Sequence, residues 1–284
     1  MRKFFKTVKN FIRETDNILL LLCALTSAYG CVSVLSATLW TVDEGEKFSR
    51  DFIVMCAACV AGIVIALIIS LIDYEFIMKM APLIGLFCIG IMLLLFAVGV
   101  GPRERPDAKT WIKFGSIFFQ PSELVKIGFI ITFGVHLEKL KGNINHPLSI
   151  LQLGVHALVP ILLVMKSGDD GSALVFICIA IGMIFVAGID WKYMVGGLVA
   201  ILAAVPLLWV KLSEFQKARF IVIFDPEAYP DTAYQQNRGL AAIGQGGFFG
   251  TGLFEGPYTQ SGSVPVSESD MIFTVVAEEL GLFG

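Results

Sequence analysis

Charge is what this sequence has least of. Aspartate, glutamate, lysine and arginine make up 16% of its 284 residues, against about 25% in a soluble globular domain. That shortage excludes an ordinary soluble fold, and the 56% apolar content excludes a disordered or collagen-like chain. Basic residues are not in excess: 21 Lys and Arg against 24 Asp and Glu leave a net charge of −3, with no overall signal for nucleic acid. Histidine is scarce. His136, His146 and His156 are scattered, none at metal-ligand spacing from another. No P-loop, metal motif or Ser-His-Asp pattern occurs. The cysteines, Cys23, Cys31, Cys56, Cys59, Cys88 and Cys178, all fall in apolar stretches. Cys56 and Cys59 form a C-x-x-C in mid-run, where packing accounts for them; redox or zinc chemistry needs exposed groups or supporting ligands.

What is present is a series of long charge-free runs: 17–42, 52–72, 80–102, 142–165, 171–189 and 193–210. Each is about long enough to cross a ~30 Å hydrocarbon core as a helix. The shorter run 127–137 reaches that length only if its helix begins near Pro121 and carries Glu123 and Lys126 within it. A further apolar run begins at Met271. Such lengths and evenness exclude barrel strands, which alternate. Trp40, Trp111, Trp191 and Trp209 fall at or near run ends, as an aromatic belt predicts. The sequence therefore predicts an all-α, polytopic integral membrane protein. It has seven transmembrane helices, the start of an eighth, and a large external segment at 211–270 between the last two.

The segment 1–16 is basic, with Phe4, Phe5, Val8, Phe11 and Ile12 on one stripe. It reads as an amphipathic helix at the cytoplasmic face. That orientation leaves Arg103, Arg105, Lys109 and Lys113 in a short external loop, against the positive-inside tendency. These external cations then need a task of their own.

Three places carry chemistry. In WIKFGSIFFQPSELVK (111–126), Pro121 suits a first helical position and Glu123 the positive helix N-terminus. Lys126 shares a face with Glu123. The pair reads either as capping with snorkelling or as an ion pair lining a polar cavity. In SGDDGSALVF (167–176), Asp169 or Asp170 reads as a helix cap, or the two together as a holder of a divalent cation. The segment 211–270 is too long for a connector. Its stretch GQGGFFGTG (244–252) lacks a strand–helix context, so it reads as a flexible membrane-surface loop rather than a dinucleotide site. It ends at Glu268 and Asp270, and Asp270 reads either as a reactive carboxylate or as the cap of the eighth helix.

The order and spacing of these blocks resemble the SEDS family (shape, elongation, division and sporulation), which includes RodA, FtsW and SpoVE. The resemblance rests on Trp111-Ile112-Lys113-Phe114-Gly115, FQPSELVK at 119–126, DDGSALVF at 169–176, Asp225-Pro226, AIGQGGFFGTG at 242–252 and SDMIFTVVAEELG at 269–281. It implies a ten-helix peptidoglycan glycosyltransferase of the bacterial cytoplasmic membrane, N-terminus inside. Such an enzyme polymerises lipid II at the outer face, with inversion, beside a class B penicillin-binding protein, in elongation, division or sporulation. The resemblance maps the catalytic base onto Asp270, the cavity pair onto Glu123 and Lys126, and an arginine ahead of the second helix onto Arg50. Arg103 and Arg105 join Arg50 and Lys126 as cations for the departing diphosphate, a role a divalent cation such as Mg2+ also fills. Trp111 and Asp169 lie in the same blocks and Glu268 just ahead of the last; these three are expected as structural or further site residues. Against a ten-helix family, the chain is expected to stop within the eighth helix and to be inactive alone.

The motifs also depart from the family. Val264-Pro265-Val266-Ser267-Glu268-Ser269-Asp270 lacks the usual glutamate and histidine ahead of the aspartate. Arg238-Gly239 replaces Gln-Ser, Asp51 a glutamine, and Gly168 a proline. A divergent or specialised member is the expectation. A flippase of lipid-linked precursors and a non-catalytic scaffold for a penicillin-binding protein are the rivals.

Overall fold

Helix is what the charge-free runs form. The computed structural model describes residues 16–42, 45–101, 108–115, 117–211 and 214–284. The basic segment ahead of Asp16 and the loop cations Arg103 and Arg105 lie outside the described residues. In chain order come α1 (Asn17–Thr38), α2 (Arg50–Ser70), the short α3 (Tyr74–Lys79) and α4 (Ala81–Val98). A hairpin of β1 (Ile112–Phe114) and β2 (Ile117–Phe119) follows, then α5 (Pro121–Leu140), α6 (Pro147–Lys166), α7 (Asp170–Val186) and α8 (Trp191–Lys211). The chain continues through α9 (Glu214–Ile221), α10 (Pro230–Gly246), α11 (Pro257–Gln260) and α12 (Ile272–Leu280).

Each expected run is matched by a helix, and among the described residues four stretches are long and apolar enough to cross a membrane: Asn17–Thr41, Arg50–Ser70, Ala81–Val98 and Pro147–Lys166. In α2 no residue is buried by protein, the pattern of a helix whose surroundings are lipid on most sides. The helical fold is as expected, with one small addition: the loop before Pro121 closes as an antiparallel hairpin with Ile112 opposite Phe119. Gly115 takes the left-handed conformation at its turn, which its missing Cβ permits. The segment 211–270 holds α9, α10 and α11 among its described residues.

The described residues form two compact units. One is Leu71–Leu208. Its core lies among α4 to α7, where Met92, Leu95, Phe133, Leu153, Val164 and Phe176 are fully enclosed. The Phe129 and Phe133 rings stack at 5.0 Å, and Phe129 meets Phe176 at 5.4 Å. Helices α4 and α5 approach closely at Gly128, where a Cβ would overlap the Cys88 sulfur. Small residues permit such approach where lipid supplies no hydrophobic push between helices. The histidines are also less scattered than their spacing indicates. His136 on α5 and His156 on α6 meet through their Nδ1 atoms at 2.9 Å, because antiparallel neighbours bring distant positions to one level.

The other unit joins the described part of Met1–Ser70 to Trp209–Gly284. In it α1 packs on α2, α11 and α12, and α10 packs on α12. Cys31 and Cys59 lie with sulfurs 3.7 Å apart, and both are free thiols in partly enclosed positions.

Gly128→Ile is expected to lower stability by about 1–3 kcal/mol through overpacking against Cys88. Gly90→Ala, where a Cβ meets nothing within 4 Å, is expected to change it by less than about 0.5 kcal/mol. Unfolding of both variants in a mild detergent checks the pair.

Candidate functional site

Two constellations place the residues singled out from sequence, one in each unit. In the Leu71–Leu208 unit, Pro121 opens α5 and puts Glu123 in its first turn. Lys126, one turn on, reaches back so that its Nζ lies 2.8 Å from Glu123 Oε1. The lysine side chain is 20% exposed and the glutamate 59%. Lys126 is thus a largely enclosed cation with one exposed carboxylate beside it, a state that costs more than a surface pair unless a further anion arrives.

Asp169 does more than cap. Its Oδ1 accepts from Ser172 N–H at 3.0 Å, the helix cap expected at the start of α7. Its Oδ2 accepts from Gln120 Nε2 at 2.7 Å and from the Ser122 hydroxyl at 3.0 Å. One carboxylate therefore ties the entry of α5 to that of α7 and fixes where Glu123 and Lys126 begin. Gln120 and Ser122 were legible as part of a motif, but nothing in their spacing announced a bond across 47 and 49 residues. Trp111 bridges to Val100 just ahead of the hairpin, and Lys113 sits 5.6 Å above the Phe118 ring.

In the other unit, Arg50 is the first residue of α2 and is exposed. Ser49 anchors that start: its hydroxyl accepts from Phe52 N–H at 3.1 Å and donates to Thr38 Oγ1 at 2.7 Å. Asp270 lies in the turn before α12 and is exposed. It does not cap that helix; Met271 holds the cap position, with no side-chain capping bond. The capping reading is thereby overturned. Among the described residues no hydrogen bond or ion pair engages the Asp270 carboxylate. Glu268 is half-buried in the same turn.

That turn is held under strain. Val266 has a φ of 54°, a left-handed conformation that costs a β-branched residue about 1–2 kcal/mol or more. Its carbonyl accepts from Ser269 N–H at 3.2 Å and Met271 N–H at 3.1 Å. Val264 and Ser267 on either side are buried, and the Ser267 hydroxyl reaches the Ala37 carbonyl of α1 at 3.5 Å. Strain persists only where surroundings over-determine it, and here they aim Asp270 outward.

Beneath the turn lie two groups whose role sequence reasoning missed. Glu278 and Glu279, in the last turn of α12, are 0% and 2% exposed. Glu278 accepts from Tyr258 N–H at 2.7 Å, Thr259 N–H at 2.9 Å and the Thr259 hydroxyl at 2.7 Å. Glu279 accepts from Phe254 N–H at 3.0 Å, Gly256 N–H at 3.4 Å and Gln260 Nε2 at 3.1 Å. The Ser36 hydroxyl of α1 adds a bond of 2.6 Å to Glu279. The available signal was two acidic residues inside an apolar run, together with Ser33, Ser36 and Thr38 in another. Nor is the glycine stretch 244–252 a flexible loop. At Gly246 and Gly250 an added Cβ would collide with the carbonyls of Ala277 and Glu279, so these glycines let the chain lie directly on α12.

Among the described residues no three or more His, Cys, Asp or Glu side chains are grouped to hold a metal ion, and both Asp169 oxygens accept hydrogen bonds, from Gln120, Ser122 and Ser172.

A bundle of long apolar helices, with a small hairpin and a helical segment carrying the candidate groups, defines a polytopic membrane protein. Its relatives are specific. Residues 16–284 match the model of the FtsW/RodA/SpoVE cell cycle protein family, and the chain belongs to that family. It is 31% identical over 279 residues to a probable peptidoglycan glycosyltransferase FtsW of Geobacter sp. (strain M18), covering 95% of this chain and 73% of that one. It is 28% identical over 284 residues to the peptidoglycan glycosyltransferase MrdB of Escherichia coli K12, covering 98% and 73%. Among solved structures it resembles a chain described under structural coordination of polymerization and crosslinking by a peptidoglycan synthase complex. The TM-score is 0.72 at 25% identity, covering 95% of this chain and 73% of that one. The Thermus thermophilus rod shape determining protein RodA shares the fold, with a TM-score of 0.62 at 21% identity, over 95% and 69% of the two chains.

Replacing Glu279 by Ala is expected to leave the Phe254 and Gly256 N–H groups and the Ser36 hydroxyl without their acceptor. A loss of about 1–3 kcal/mol per buried donor follows, with cleavage by a protease appearing first between residues 251 and 260. Limited proteolysis with mass mapping of the fragments measures this. Protection equal to that of the unaltered chain would contradict it.

Proposed function

We propose that this protein is a peptidoglycan glycosyltransferase, the activity for which its FtsW and MrdB relatives are named, and that lipid II is its substrate. The observation that carries this reading is Asp270: an exposed carboxylate, excused from capping, on a strained and buried-anchored turn. In the proposed reaction a sugar hydroxyl of one substrate attacks the anomeric carbon of another. The hydroxyl proton passes to Asp270 as general base. The new glycosidic C–O bond forms as the bond from that carbon to the lipid diphosphate oxygen breaks, and the configuration inverts.

The departing diphosphate collects negative charge, which fixed cations stabilise in proportion to their enclosure. We assign this to Lys126 and Arg50, with Arg103 and Arg105 as the outer cluster. Lys126 is suited because its enclosure leaves little water to compete, and Glu123 keeps it oriented. On this assignment the cations serve the leaving group without a metal ion. Activity that persists after chelation with EDTA is the expected result, and loss restored by Mg2+ would reverse that assignment. The same reading puts the N-terminus in the cytoplasm, the 211–270 segment outside the inner membrane, and a class B penicillin-binding protein alongside.

The test uses the full-length protein with its penicillin-binding partner and lipid II. Asp270→Asn is expected to abolish glycan polymer while the protein stays folded and partner-bound, and Lys126→Met to slow turnover by about 10²–10³-fold. Polymer of undiminished length from the Asn variant would sink the base assignment. Head-group translocation in liposomes without polymer would favour a flippase, and partner binding without either would favour a scaffold.

A further inference from the structure

A polar cavity lies in the Leu71–Leu208 unit, at the opposite end of α5 from Glu123. It is a cleft of about 930 Å3 between α3, α4, α5 and α6, whose polar wall comprises Tyr74, Glu75, Lys79, His136, Glu138 and Lys139. Gly85, Thr132 and His156 belong both to this cleft and to an apolar pocket of about 310 Å3. Met92, Phe129 and Leu163 line that pocket, so polar and apolar arms meet at one junction. His136 is four residues from the end of α5 at Leu140, roughly 6 Å along the axis, the depth at which hydrocarbon gives way to headgroups.

A chain of hydrogen bonds sets the character of the wall. The Thr132 hydroxyl donates its one hydrogen to the Phe129 carbonyl at 3.2 Å. We assign the contact with His156 Nε2, 3.2 Å away, as the ring N–H donating to this hydroxyl, a tautomer chosen from the hydrogen-bond network. His156 Nδ1 is then unprotonated and accepts from His136 Nδ1 at 2.9 Å. A neutral imidazole carries one N–H, which leaves His136 Nε2 as an acceptor on the cleft wall. The rim carries both signs: Glu75 and Lys79 lie 3.8 Å apart, both well exposed, and Glu138 adjoins Lys139 on α5. A purely anionic head would leave two carboxylates opposed to it, and a purely cationic one two ammonium groups.

We propose that this crevice binds one phospholipid whose headgroup carries both a phosphate and a primary ammonium. The ammonium, with three N–H donors, meets His136 Nε2 and the carboxylates of Glu75 and Glu138. The phosphate meets Lys79 and Lys139, and one acyl chain enters the apolar pocket past Gly85. A quaternary ammonium has no N–H to offer His136, which is the basis of selection. The inference stands apart from the glycosyltransferase reading, since none of these groups takes part in the proposed reaction.

The full-length protein, stripped of lipid in detergent, is exposed to vesicles of phosphatidylcholine. Each batch contains the same minor amount of phosphatidylethanolamine, phosphatidylglycerol or undecaprenyl phosphate, with matched acyl chains where chains are shared. Retained lipid is read by native mass spectrometry. Phosphatidylethanolamine is expected to be retained about tenfold over phosphatidylcholine, the scale of a hydrogen bond to a charged group. His136→Phe is expected to remove that preference. Equal retention of the two zwitterionic lipids, or preferential retention of phosphatidylglycerol or undecaprenyl phosphate, would overturn the proposal. The comparison on the unaltered protein decides the matter even if the variant fails to fold.

Discussion

Two neighbouring carboxyl groups organise everything around the proposed base. Glu278 and Glu279 are sealed from water, and an acceptor so placed is costly unless donors surround it. The donors come from the stretch between α10 and α11, from the start of α11, and from α1. That requirement converts a long connecting segment into a fitted layer on α12. The glycines at 246 and 250 let that layer approach. Asp270 sits just ahead of the other end of the same short helix, so the buried end of α12 supports the turn that carries it.

In the Leu71–Leu208 unit, Asp169 plays a comparable part at smaller scale. A single carboxylate caps α7 and gathers Gln120 and Ser122 at the mouth of α5. Both units thus use an acidic group to bind neutral donors. The groups assigned to chemistry, Asp270 and the Lys126–Glu123 pair, are left with few local obligations. Stability and reactivity are assigned to different acids, and exposure separates them: Glu278 and Glu279 are buried, whereas Glu123 and Asp270 are open.

The helices were readable because the absence of charge over about 20 residues admits one structure in lipid. The motif blocks were readable because Pro121, Asp169 and the glycine-rich stretch have local conformational meaning. What escaped was contact between remote positions. The bonds from Asp169 to Gln120, from Glu279 to Ser36 and between His136 and His156 depend on which helices are neighbours and at what level, and no periodicity encodes that. The glycine stretch was misjudged for a related reason. A glycine that permits a turn and a glycine that permits close packing look alike until the opposing carbonyl is known. Asp270 as a cap failed because the strained Val266 turn shifts the helix start one residue on.

The bond between Ser36 and Glu279 spans 243 residues. At a synthesis rate of about 5–20 residues per second, some 12–50 s separate the making of its two ends. Through that interval α1 waits in the bilayer with its hydroxyl unmatched by the group that finally holds it, and the 251–260 stretch emerges before either of its acceptors. The innermost contacts of this unit therefore form only once Glu279 has been made, long after α1. A pause in translation, or a membrane-resident chaperone holding α1, would act on assembly at that point and nowhere else in the unit so directly.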